Sequence, residues 1–188
     1  MKAVIVFHSV GGNTYLTAKA FESALANAGH QVALFRVEDA DWVEKPDIAE
    51  DARRVLARMR ALPVAKPADL LDKDMIIMGS PVYFGNVSAE LKAFMDSTGG
   101  LWFQGKLTGR KFAAFVSAGN TEGGGDLALQ VMHTYAKYMG MLAMPLPVTV
   151  LSGENGNALG IIQYSNGKLA AGLEDKMCKL IDRWSRIF

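Results

Sequence analysis

The sequence predicts an α/β protein, a doubly wound, five-stranded parallel sheet with helices on both faces. Three observations predict it. Short apolar runs, the mark of strands buried on both faces, recur at about 2–8, 31–37, 75–79 and 111–117. Segments of helical periodicity separate them. The first strand also runs into small residues, Ser9-Val-Gly-Gly-Asn-Thr14, that open directly into a helix. Strands alternating with helices call for parallel pairing through right-handed crossovers. Ligands then bind beyond the carboxyl ends of the strands, where strand order reverses.

The elements follow in order. Lys2–His8 is the first strand, and a helix at about 14–28 ends at Gly29. The second strand lies at 31–37. A helix over 47–60 is bounded by Pro46 and Pro63. The strand Met75–Gly79 leads through a loop to a helix over 88–96. Residues 97–110, with four glycines, read as irregular. A strand at 111–117 and a glycine loop precede a helix at 126–139. A short proline-bounded strand is expected near 141–150, then a polar, glycine-rich loop at 152–160. A closing helix over 167–186 carries Leu169, Leu173, Met177, Leu180, Ile181 and Trp184 at helical spacing.

Three loops at the strand ends carry the chemistry. In the first, backbone N–H groups and a helix N-terminus converge and favour negative charge, with Ser9, Asn13 and Thr14 as side-chain donors beside Gly11 and Gly12. The loop lacks the Gly-Lys-Ser/Thr ending of a triphosphate loop and the third spaced glycine of a dinucleotide fold. A cradle without a charged clamp suits a terminal phosphomonoester such as that of FMN; an ordinary strand-to-helix turn capped by Asn13 or Thr14 is the plainer reading. The second loop, Pro81-Val82-Tyr83-Phe84-Gly85-Asn86, offers planar surface, a close backbone approach and an amide to a flat heteroaromatic, or else packs the sheet edge. The third, Ser117-Ala118-Gly119-Asn120 through Gly123 and Gly124, lets backbone wrap a ligand. Trp102 either caps that ligand or fills a core gap. Met139 and its neighbours read as core, with a Met-lined substrate pocket as the alternative.

Length and composition set the outer bounds. A chain of 188 residues, half of them apolar, fits a single domain spanning 1–188. A net charge of +1 gives no nucleic-acid footprint and no polybasic membrane patch. One cysteine, Cys178, excludes an internal disulfide framework, and the apolar start is too short for a membrane span, so a cytoplasmic location is expected. Asn86-Val87-Ser88 matches a glycosylation acceptor only by coincidence. His8, His30 and His133 show no spacing that groups them with carboxylates, so no metal site is expected.

With these residues in view the chain resembles the flavodoxin-like superfamily, and within it the tryptophan-repressor-binding-protein-like (WrbA-type) NAD(P)H:quinone oxidoreductases. Phe7–Thr14, Gly79–Asp96, Ser97-Thr-Gly-Gly-Leu-Trp102 and the glycine-rich run 117–125 carry the likeness. It implies sheet order 2-1-3-4-5, FMN held by the first, third and fourth strand-end loops, two-electron chemistry with NAD(P)H as donor and a quinone or similar acceptor, and a tetramer. Two positions depart from the family. Tyr83 stands where Arg is frequent, and Tyr138-Met139-Gly140-Met141 stands where a His pair often precedes Gly-Met. Both look onto the nicotinamide or quinone side, which makes Tyr83, Trp102 and Met139 the candidate substrate residues. A flavodoxin-type one-electron carrier or a non-enzymatic binding module are the alternatives; such carriers are strongly acidic, unlike this chain.

Overall fold

The computed structural model describes residues 1–40, 50–151 and 156–188. The start of the expected helix at 47 and residues 152–155 of the expected loop fall outside the described residues. Strand β1 (Lys2–Phe7) lies between β2 (Gln31–Arg36) and β3 (Met75–Tyr83), and the antiparallel pair of β3 with β4 (Asn86–Val87) extends β3 past the sheet. β5 (Lys111–Ala118) runs parallel to the far side of β3. The fifth position is filled in two pieces: β6 (Leu142–Ala143) pairs in parallel with the start of β5, and β8 (Gly160–Tyr164) with its end. Between them the chain leaves the sheet through α6 (Val148–Leu151) and returns through β7 (Gly156–Asn157), antiparallel to β8. The order is 2-1-3-4-5, as expected, with the last strand split.

Helices α1 (Asn13–Asn27) and α7 (Asp175–Ser185) cover one face, where Phe21, Phe115, Ile77 and Trp184 are buried. Helices α3 (Ala89–Ser97) and α5 (Gly125–Tyr138) cover the other, over Val6, Met78, Phe112 and Val116. Helix α2 (Glu50–Arg60) flanks β2 and sends Leu56 and Met59 into the first core. The uninterrupted burial of β1 and β5 explains why their runs read as continuous hydrophobic stretches.

Four expectations need correction. The strand forecast near 141–150 is only Leu142–Ala143, and residues 148–151 are helical. The main piece of that strand is Gly160–Tyr164, whose entry needs glycine because a Cβ at Gly160 would lie 2.1 Å from the Ala114 carbonyl oxygen. Residues 97–110 are not wholly irregular, since Gly99–Phe103 forms α4 behind the Thr98 turn. The segment after Gly79 is not a loop but strand up to Tyr83, closed by a two-residue turn in which Phe84 (φ 50°) and Gly85 (φ 73°) are both left-handed. The closing helix starts at Asp175, because Gly167 and Gly172 sit at positive φ and residues 165–174 bond elsewhere.

Candidate active site

The loop after β1 has the form of an anion cradle. Helix α1 starts from Gly12, which is left-handed (φ 86°), and no side chain caps its first N–H groups. No acidic residue lies in its first turn. Neither Asn13 nor Thr14 is therefore a cap, and the partial positive charge of the helix end stays available. Beside it, Ser9 Oγ is buried and has no hydrogen-bond partner among the described residues. Thr14 Oγ1 and Ser117 Oγ lie 2.7 Å apart and are both buried. Two hydroxyls that share one bond use one hydrogen between them, so the second hydrogen is left for another acceptor.

These groups open on one cleft of about 150 Å³ between the three strand ends. Ser9, Gly11, Asn13 and Thr14 line it from the first loop, Pro81, Val82 and Tyr83 from the second, and Ser117, Ala118 and Gly119 from the third. The fit to a flavin phosphomonoester is good: orphan and spare hydroxyl donors, an open helix end and no cation. Val10 and Ser165 also line the cleft and were not foreseen. Gly12 shapes the turn, where a Cβ would crowd Val55 and Ala170. Gly85 and Gly124 join the second and third loops, because a Cβ at Gly124 would lie 2.8 Å from the Gly85 Cα. Phe84 is fully exposed beyond the cleft, Asn86 bonds its Oδ1 to the Val87 N–H, and Asn120 accepts from the Gly123 N–H through its carbonyl.

Two expected substrate residues lie elsewhere. Met139 is 5% exposed, belongs to the core under α5 and is not among the residues lining the cleft. Trp102 is half-exposed on α4, outside the cleft lining. Tyr83 does line the cleft. Burial first, then the charges of Glu90 and Asp39, push its phenol pKa above the ordinary value, so it stays a hydrogen-bond donor at neutral pH.

His8 was expected to stand apart from carboxylates. Instead its Nε2 is 3.2 Å from Asp39 Oδ2 and its Nδ1 3.4 Å from Glu90 Oε2, an assembly made by the ends of β1 and β2 and the first turn of α3. Among the described residues this is the group whose ligand-type atoms cluster. The carboxylates flank opposite ring nitrogens, which suits a clamped ring better than three ligands meeting at one ion. No sequence spacing could reveal it, since the contacts come from the register of neighbouring strands. His133 is buried edge-on against Phe112, and burial holds its pKa below the usual value.

Residues 1–156 match the model of the family described as NADPH-dependent FMN reductase. The chain belongs to that family. The match ends before β8, so residues 165–174 lie outside it. A protein of Aromatoleum aromaticum named NAD(P)H dehydrogenase (quinone) is 33% identical, over 97% of this chain and 93% of its own length. A protein of the same name from Archaeoglobus fulgidus is 34% identical, over 78% of this chain and 76% of its own. Among solved structures, the WrbA-like flavodoxin of Agrobacterium tumefaciens covers 99% of this chain and 94% of its own at 21% identity and TM-score 0.63. Oxidised flavodoxin 1 of Bacillus cereus aligns with 98% of this chain and 95% of its own at 17% identity and TM-score 0.63. These two likenesses bear on the fold alone.

Proposed function

We propose that this FMN reductase family member is an FMN-dependent oxidoreductase that passes a hydride from NAD(P)H to a quinone or similar acceptor. One observation carries the reading: a cleft in which an uncapped helix N-terminus, the unpartnered Ser9 hydroxyl and the spare Thr14–Ser117 hydrogen meet without a cation. The relatives' shared name supplies the donor and acceptor classes. When bound, FMN supplies the hydride-accepting and hydride-donating chemistry. The chain positions it. The first loop holds the phosphate, Pro81–Tyr83 and Ser117–Gly119 border the ring, and one open face receives nucleotide and acceptor in turn. Tyr83 stands at that face as a protonated phenol able to donate to a quinone oxygen.

The location and assembly we propose are cytoplasmic and tetrameric. No helix among the described residues is long and apolar enough to cross a membrane. Exposed Trp102, Phe103, Tyr138 and Leu142 supply apolar surface for contacts between copies. The functional test is spectroscopic. The chain reconstituted with FMN and held without oxygen should bleach its flavin band on adding NADH or NADPH and regain it on adding a quinone. A chain that takes up FMN but is bleached by neither nucleotide is a carrier and not a reductase.

A further inference from the structure

We infer that residues 165–174 form a brace that presets the phosphate loop, and that Asn13 is a positioning residue fastening the two rather than a ligand of the phosphate. This rests on the cofactor reading above. Both ends of the Asn13 side chain are engaged by the brace: its Nδ2 donates to the Lys168 carbonyl and its Oδ1 accepts from the Ala171 N–H, both at 2.8 Å. Its neighbour in the loop is tied as well, for the Ala170 N–H donates to the Gly11 carbonyl at 2.7 Å. A carbonyl drawn outward in this way leaves the loop's N–H groups to face the cleft. Leu169 lies over Gly11, where a Cβ would meet its methyl group at 2.8 Å, and the Ala170 methyl lies beside Gly12.

The brace is held where it matters and open elsewhere. Its far end is fixed by buried Gln163, whose Nε2 donates to the Gly172 carbonyl while its Oε1 accepts from Thr17 on α1. Behind it, a cavity of about 160 Å³ separates it from the start of α7. On that side polar fasteners, not packing, hold it. Ala170 keeps a left-handed backbone (φ 44°) without being glycine. Such strain persists only where surrounding contacts over-determine it.

The test compares affinities for FMN and riboflavin, which differ by the phosphate alone, in apo-protein of the parent, Asn13→Ala, Ala170→Gly, Ala170→Pro and the Asn13→Ala/Ala170→Pro double variant. Asn13→Ala should weaken FMN about tenfold, the size of two lost hydrogen bonds, and change riboflavin far less. Ala170→Gly keeps the N–H and relieves the backbone, so FMN should bind at least as well as to the parent. The double variant should lose no more than the worse single one, because both release the same brace. Additive losses would show that Asn13 touches the phosphate itself, and equal losses for both flavins would show general destabilisation; either overturns the proposal. If the parent binds neither flavin, the cofactor reading falls separately. Inorganic phosphate then takes over as probe: amide shifts of Gly11–Thr14 seen with the parent should vanish in Asn13→Ala, and their persistence overturns the brace.

Discussion

Thr14 and Ser117 link the first and third loops through a buried hydroxyl pair 2.7 Å apart. Thr14→Ala removes a donor to a phosphate dianion and should weaken FMN by about 1.5–3 kcal/mol, the range for hydrogen bonds to charged groups. Fluorescence titration reads the change, and affinity equal to the parent's would move the phosphate elsewhere. Tyr83 tests the acceptor side. Tyr83→Phe keeps the ring and deletes the phenol, so the half-reaction with quinone should slow by roughly three- to tenfold, one neutral hydrogen bond, while reduction by NAD(P)H changes little. If neither half-reaction changes, Tyr83 only packs. His133 gives a pH signature. Burial lowers its folded pKa, so acid favours the unfolded chain, which binds the extra proton. The stability it contributes is present above the unfolded value near 6.5 and is lost as pH falls through its folded value. Melting of the parent should therefore drop on acidification more than melting of His133→Gln.

Glycines and turns decide the element scale. Gly79 was legible only as the end of a strand, yet a Cβ there would lie 2.1 Å from the Phe115 ring. Gly79→Ala should cost on the order of 1–3 kcal/mol through overpacking, read by denaturant unfolding; unchanged stability would mean Phe115 can swing clear. The β3–β4 turn is a second case. Its Tyr83-Phe84-Gly85-Asn86 sequence reads as a ligand loop because aromatic residues rarely take the left-handed first position of such a turn. The strand boundaries of β1 and β5 were legible because burial on both faces leaves unbroken apolar runs. The split fifth strand was not: Ile161 and Ile162 make too short a run, and the parallel partners that define it lie more than forty residues away in β5. The brace escaped for a similar reason, since Leu169 and Leu173 continue a helical period that the backbone bonds of Lys168, Ala170 and Ala171 to the first loop override.

At the scale of the whole molecule, the doubly wound order places three loops around one cleft, and that much follows from strand–helix alternation and the small-residue loop after β1. The side-chain assignments within the cleft depend on partners distant in sequence. Asn13 turns to the brace, and His8 meets carboxylates from two other elements. Both needed the folded chain to be seen. The near-neutral charge is unlike that of acidic electron carriers of the same fold and fits the small-molecule exchange proposed above. The most direct measurement is an anaerobic double-mixing record of the flavin band. FMN-loaded protein meets NADH or NADPH, then a quinone. The account predicts rapid loss of the band, then full recovery, with each step saturating in its own substrate. A band that neither nucleotide bleaches, or that stays bleached when quinone arrives, would contradict it.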